Sequence, residues 1–332
     1  MKRVPALDLG ERPVVKSFAD WGRRNEQLVR DPAMQLLARG VWAQSSEPLS
    51  PLQRAALLQQ HLRTRDNHLR VTGLNALELL DLPIGETQSW VNPLLGHRAG
   101  ERESEFETAK LTPHLSWRGT RVRTFAGQLR MTKSRGLSRY YGPWGCFVAH
   151  PVEALVVAAP YLSMWRLIAC VDALLSRRIV VDEKVTLRDF TADVIEDALE
   201  LFPPTSPSVR RVRAALRAAY DQVWSPNETL TRLIALRHGF PPPRTNYHVT
   251  PQGRHFYIDL AWPDSMTAIE YNGEVHYKKR SHYEDENYRI QLIRDSGWDV
   301  QVLVWRDLWE PERRRTWLNF LARNLGPPTR KF

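Results

Sequence analysis

Two carboxylates stand in apolar stretches where a folding chain has least use for them. Asp259 lies between Ile258 and Leu260 in HFYIDLAW (255–262), and Glu270 follows Ile269 in MTAIEYNGEVHY (266–277). Both segments read as strands, joined by a short turn around Pro263, Asp264 and Ser265. So short a connection makes them antiparallel neighbours. An unpaired carboxylate is costly to bury. Two on paired strands repel, and one holds its proton unless a cation lies between them. A hard divalent ion, Mg²⁺ or in its place Mn²⁺, answers that need, because it favours carboxylate oxygens and keeps water positions open. Strand parity adds Asn272 to the face of Glu270. Gly273 permits a sharp exit from the strand, and His276 lies just beyond.

The flanks read as helices and one further strand. In SPNETLTRLIALRHG, Ser225 is the N-cap, Pro226 the first helical residue and Glu228 the partner of a capping box. Gly239 and Pro241–Pro243 stop that helix. SHYEDENYRIQLIRDSG (281–297) predicts a second helix, with Ser281 and Glu284 as its cap and Tyr288, Leu292 and Ile293 facing a core. Asp285 and Arg289, spaced i, i+4, form a candidate pair. WDVQVLVW (298–305) alternates as a third strand, and residues 311–325 form a closing helix. The order is helix, strand, strand, helix, strand, helix.

That order, with Asp259, Glu270, Asn272, Gly273 and His276 at their spacings, resembles the PD-(D/E)XK nuclease superfamily, and within it the Vsr-like endonuclease branch. The resemblance implies metal-dependent hydrolysis of phosphodiesters by a restriction-endonuclease-like α/β domain. It makes Asp259 and Glu270 metal ligands and Glu228 the acid of the first helix that orients the site. His276 would contact the scissile phosphate or handle a proton, with Asp285 and Arg289 behind the ligands. Asn272 departs from the pattern, which has Lys or Asp there. An amide cannot act as a base, but its oxygen can ligate or hold a water.

The rest of the chain points to an anionic partner. Its 332 residues allow two domains. Lys and Arg outnumber Asp and Glu by 47 to 37, and most of the excess falls before residue 226, which favours nucleic acid. Residues 118–139 carry Arg118, Arg121, Arg123, Arg130, Lys133, Arg135 and Arg139 with no acid among them. RGTRVRTF alternates like a strand with one basic face, which reads either as a phosphate-tracking surface or as a charged edge strand. Cys146 and Cys170 have no CxxC spacing, which excludes a thiolate zinc site and a disulfide scaffold and makes a cytoplasmic location the default. The longest apolar run, ALVVAA, is far short of a membrane span.

LLARGVWA (36–43), VTGLNALELLDLPI (71–84) and HPVEALVVAAPYLSMWRLIACVDALL (150–175) resemble actinobacterial proteins with an AbiEi-type antitoxin-like front region. In that group a winged helix usually precedes the GVWA-like strand, and residues 14–31 are too few for one. The expected architecture is α/β. A mixed α+β, nucleic-acid-holding region spans 1–202, a linker helix spans 203–224, and a nuclease-like domain spans 225–332, with a central mixed sheet flanked by helices. The expected function is a Mg²⁺-dependent DNA endonuclease, and a nuclease acting on RNA is a separate reading, since nothing in the sequence separates the two. The alternative is a non-catalytic DNA-binding or antitoxin-like regulator on a degenerate nuclease fold.

Overall fold

The computed structural model describes residues 8–17, 31–38, 40–63, 68–85, 101–119, 129–176, 178–181, 184–187, 190–273 and 280–329. The chain is mixed α/β and divides into two compact units. The first takes residues 1–91, 98–167 and 191–217, and the second takes 92–97, 168–190 and 218–332.

In the first unit, β1 (Val14–Ser17), β2 (Met34–Ala38) and β3 (Val41–Gln44) form an antiparallel sheet in the order β1-β3-β2. Helix α1 (Pro51–Leu62) begins at a full capping box, in which Ser50 and Gln53 satisfy each other's backbone N–H groups. Next come β4 (Arg70–Val71), α2 (Gly73–Leu79), α3 (Glu101–Leu111), β5 (His114–Trp117), β6 (Arg130–Lys133), β7 (Tyr140–Tyr141) and β8 (Phe147–Val148). Their five strands lie in the order β6-β5-β4-β8-β7. Helix α4 (Pro151–Ala158) is buried along nearly its whole length, as its run of apolar residues requires.

Helix α5 (Met164–Leu175) follows, and the division between units falls inside it. Then come β9 (Arg178–Val181), β10 (Lys184–Leu187), α6 (Ala192–Glu200) and α7 (Pro207–Ala218). The linker helix expected over 203–224 is α7, and residues through Arg217 group with the first unit. Residues 168–190, expected in the front region, group instead with the second. An ion pair ties Asp172 to the rest of that unit. Arg232 Nη2 donates to Asp172 Oδ2 at 2.7 Å, and both side chains are buried. Thr229 Oγ1 donates to the same oxygen at 2.7 Å, and the Tyr220 N–H donates to Asp172 Oδ1 at 2.8 Å. Arg232 also donates to the Ala218 carbonyl at 2.9 Å and lies 4.0 Å above the Tyr220 ring. Breaking so enclosed a pair costs about 3–5 kcal/mol, because the partner left behind is charged and dry.

The second unit continues with α8 (Pro226–Arg237), β11 (Arg244–Val249), β12 (Phe256–Trp262), β13 (Thr267–Tyr271), α9 (Arg280–Asp295), β14 (Asp299–Leu303), α10 (Trp305–Trp309) and α11 (Pro311–Leu325). Its sheet runs β11-β12-β13-β14, antiparallel at the first two junctions and parallel at the third, so it is a mixed sheet. Ile258, Ala261, Ala268, Ile290, Ile293, Trp298 and Val300 build the core around it. Leu292 and Ile293 are buried as expected, but Tyr288 is 50% exposed, with Arg254 5.3 Å above its ring. Strand β11 and helix α10 are additions to the order that the sequence suggested. No helix among the described residues is long and apolar enough to cross a membrane. Cys146 and Cys170 are buried and not joined in a disulfide, and burial pushes Cys146 up to about 12.

Candidate carboxylate site

The sheet register assembles the site. Leu260 pairs with Ile269 and Ala261 with Ala268, so the next step along sets Asp259 opposite Glu270. On the other side, Thr245 pairs with Leu260 and Tyr247 with Ile258, which sets Asn246 opposite Asp259. Directly opposed residues share a face of an antiparallel sheet. Asn246, Asp259 and Glu270 therefore form one row across β11, β12 and β13. Asn246 sits in the left-handed region at φ 44°, where an asparagine is among the residues best tolerated.

Helix α8 brings Glu228 to this row. Ser225 caps the helix by accepting the Glu228 N–H at 3.2 Å. Glu228 does not return the bond to the N-cap as a capping box would. Its Oε2 accepts the Trp224 N–H at 3.0 Å and Asn246 Nδ2 at 2.7 Å. Asn246 Nδ2 also donates to the Gln222 carbonyl at 2.8 Å, which fixes the orientation of the amide.

Helix α9 supplies the cation. Arg289 grips Glu270 with two nitrogens, Nη2 to Oε2 at 2.8 Å and Nη1 to Oε1 at 3.3 Å. The expected i, i+4 pairing of Arg289 with Asp285 is not formed. Asp285 is exposed, and Arg289 Nη2 meets Glu286 Oε1 at 2.6 Å. Arg289 Nη1 also donates to the Tyr257 carbonyl at 3.1 Å. Asp259 Oδ2 accepts the Tyr271 N–H at 2.7 Å.

One guanidinium does not balance these acids. Burial pushes Glu228 up to about 8, and the Asp259 charge adds to the shift. Burial pushes Asp259 up to about 6, with Glu286 adding, against the pull of the Tyr271 N–H and Arg289. Burial, then Asp259, hold Glu270 well above the ordinary carboxylate range in spite of Arg289. Burial opposes the charge on Arg289, but Glu270 and Glu286 hold its pKa above its ordinary value. The cation that the sequence demanded is thus partly supplied by the chain itself.

Asn272 follows β13, with its N–H donating to the Leu303 carbonyl at 2.8 Å. Its Oδ1 is buried and has no hydrogen-bond partner, and neither has Asn246 Oδ1. Among the described residues no group of three or more His, Cys, Asp or Glu is arranged to hold a metal ion. The oxygens at hand are those of the carboxylates and of the two asparagine amides, the donor type that a hard divalent ion prefers. His276 lies outside the described residues. Sequence reasoning missed Asn246. Its one signal was the alternation of Tyr247 and Val249 between two proline-bearing turns.

Of the basic residues singled out, Arg121 and Arg123 lie outside the described residues. Arg130 and Lys133 are on β6, the edge strand of its sheet. Arg130 bonds the Tyr161 hydroxyl and lies 5.0 Å above its ring. Arg139 covers Phe147 at 3.8 Å and Arg135 covers Phe202 at 5.9 Å, while Arg118 packs beside Gly136. Lys133 and Arg135 are exposed.

No family model matches the chain, and no solved structure matches it. Two uncharacterized proteins, from two strains of Mycobacterium tuberculosis, are each 27% identical over 97 residues, covering 29% of this chain. The match spans 36% of each relative's length.

Proposed function

We propose that this chain is a divalent-metal-dependent DNA endonuclease that hydrolyses phosphodiester bonds, as its likeness to the Vsr-like branch implies. The observation that carries the reading is the row Asn246, Asp259, Glu270 with Glu228 against it. Several buried acids crowd around one guanidinium there, and a fold optimised only for stability would not keep them. Asp259, Glu270 and the partnerless amide oxygen of Asn272 would hold Mg²⁺ or Mn²⁺. When bound, such an ion supplies a water of lowered pKa and offsets charge on the phosphate.

The chain's own groups have distinct parts. The Tyr271 N–H fixes Asp259 by one oxygen. Arg289 orients Glu270 and competes with the ion for it, because it holds both oxygens. Burial and the Asp259 charge push Glu228 up to about 8, which favours its uncharged form beside the row. His276 would contact the scissile phosphate. Arg118, Arg121, Arg123, Arg130, Lys133, Arg135 and Arg139 would hold the DNA backbone. The grip of Arg289 on Glu270, with an uncharged Asn272, favours one second reading, a DNA-binding regulator that has lost catalysis.

Supercoiled plasmid incubated with the protein and Mg²⁺ or Mn²⁺ separates the two. The nuclease reading expects nicking that needs the metal and is lost in Asp259→Ala and Glu270→Ala. DNA retained but uncut by the wild type would support the regulator.

A further inference from the structure

The strands that carry the carboxylates also carry a line of exposed rings. His248 pairs with Tyr257 across β11 and β12, and Tyr257 lies two residues before Asp259, so all three share the face of the carboxylate row. Trp224, at the approach to α8, meets Tyr257 edge to face at 5.1 Å. Tyr257 meets His248 at 5.2 Å, and His248 Nε2 lies 2.9 Å from His255 Nδ1, a hydrogen bond that sets these two rings side by side with their planes 13° apart. The line Trp224–Tyr257–His248–His255 is therefore continuous. Trp224 and Tyr257 are 40% and 39% exposed, and both histidines are exposed. A core would bury such rings.

The first two rings of the line are tied to the acids by backbone. The Trp224 N–H donates to Glu228, and the Tyr257 carbonyl accepts from the arginine that holds Glu270. Two residues of strand rise about 6.6 Å. The first row of rings thus stands about one extended nucleotide from Asp259. The hairpin segment 240–257 contains Arg244 and Arg254 and no acid. A groove of about 600 Å³ opens beside the rings, lined by Arg244, Asn246, His248 and Tyr257, with Asp221 as the one acid among the described residues of its lining. Exposed rings in a line, flanked by guanidinium groups, match the two needs of an unpaired strand. Its bases need flat apolar faces and its phosphates need positive charge.

We infer that this line of rings is a stacking track for unpaired bases of single-stranded DNA, leading to the carboxylate row. The inference deepens the nuclease reading by naming the form of its substrate, and it rests on that reading only for what happens at the carboxylates. A duplex hides its base faces and gains nothing from such a track.

Fluorescence anisotropy with the full chain in EDTA tests binding apart from cutting. The probes are a labelled oligothymidine, the same oligomer in a duplex, and oligouridine. Oligothymidine is expected to bind at least tenfold tighter than the duplex. Tyr257→Leu and Trp224→Ala should each weaken it by about tenfold, and Tyr257→Phe should restore it, since stacking needs the ring and not the hydroxyl. His248→Ala, at an exposed position, carries the same test should Tyr257→Leu fail to fold. Equal affinity for duplex and single strand, or no loss in the ring variants, overturns the track. Tighter binding of oligouridine overturns its assignment to DNA. Ring-dependent binding without cutting in Mg²⁺ leaves the track standing and overturns the nuclease alone.

Discussion

Two buried clusters of charge lie in the same unit and are built on opposite principles. At Asp172 one carboxylate meets one guanidinium, and each carboxylate oxygen has donors on it. At Glu270 the single guanidinium of Arg289 faces Glu270 and Glu286, with Asp259 and Glu228 close by. The first arrangement matches one carboxylate to one guanidinium, although Arg232 Nε is buried without a hydrogen-bond partner. The second is short of positive charge and keeps an amide oxygen without a partner. A buried charge matched by one counter-charge serves the fold. A cluster left acidic, and holding protons to compensate, is poised to receive a cation.

The comparison breaks most readily at Asp172. Asp172→Ala leaves Arg232 buried without its counter-charge and should remove about 3–5 kcal/mol of stability, read by chemical denaturation. The effect on Asp259→Asn should be of opposite sign. The amide oxygen still accepts the Tyr271 N–H, and one member of a repelling set becomes neutral. That variant should gain about 1 kcal/mol while losing at least about 100-fold in metal-dependent plasmid nicking. A loss of stability at Asp259 as large as that at Asp172 would make the two clusters alike.

How far this was legible beforehand follows from the same residues. Asp259 and Glu270 announced themselves because a carboxylate interrupts an apolar strand whatever the strand's partners. Arg289 was visible, but its partner was not. Helical spacing offered Asp285, while the side chain turns to Glu286 and inward to Glu270, a choice made by tertiary packing. Asn246 was hidden because β11 follows three prolines and bends at a positive φ. Asp172 and Arg232 are sixty residues apart, and no local pattern joins them. The mixed α/β class and the alternation of helices and strands after residue 225 were readable, because periodicity and caps are local. The grouping of residues 168–190 was not.

The two clusters should also part in pH. Glu228, pushed up to about 8, and Asp259, pushed up to about 6, keep protons that the unfolded chain releases near pH 4. The folded state therefore binds more protons between these values. The stability this confers is present at low pH and lost as pH rises through about 6 and then about 8. Denaturation midpoints should fall across that window, and the fall should be shallower in Glu228→Gln. A slope unchanged in that variant would remove Glu228 from the cluster. The smallest effect is expected at Asn272. Asn272→Asp adds a charge to an acidic site and should cost about 1 kcal/mol without metal, a deficit that Mg²⁺ reverses.

The central claim is that the acids of β12 and β13 share a divalent ion. Titration of Mn²⁺ into the full chain, followed by the electron paramagnetic resonance of the free ion, tests it most directly. The account predicts saturable uptake that disappears in Asp259→Asn while the fold persists. Uptake absent from the wild type, or equal in the variant, would contradict it.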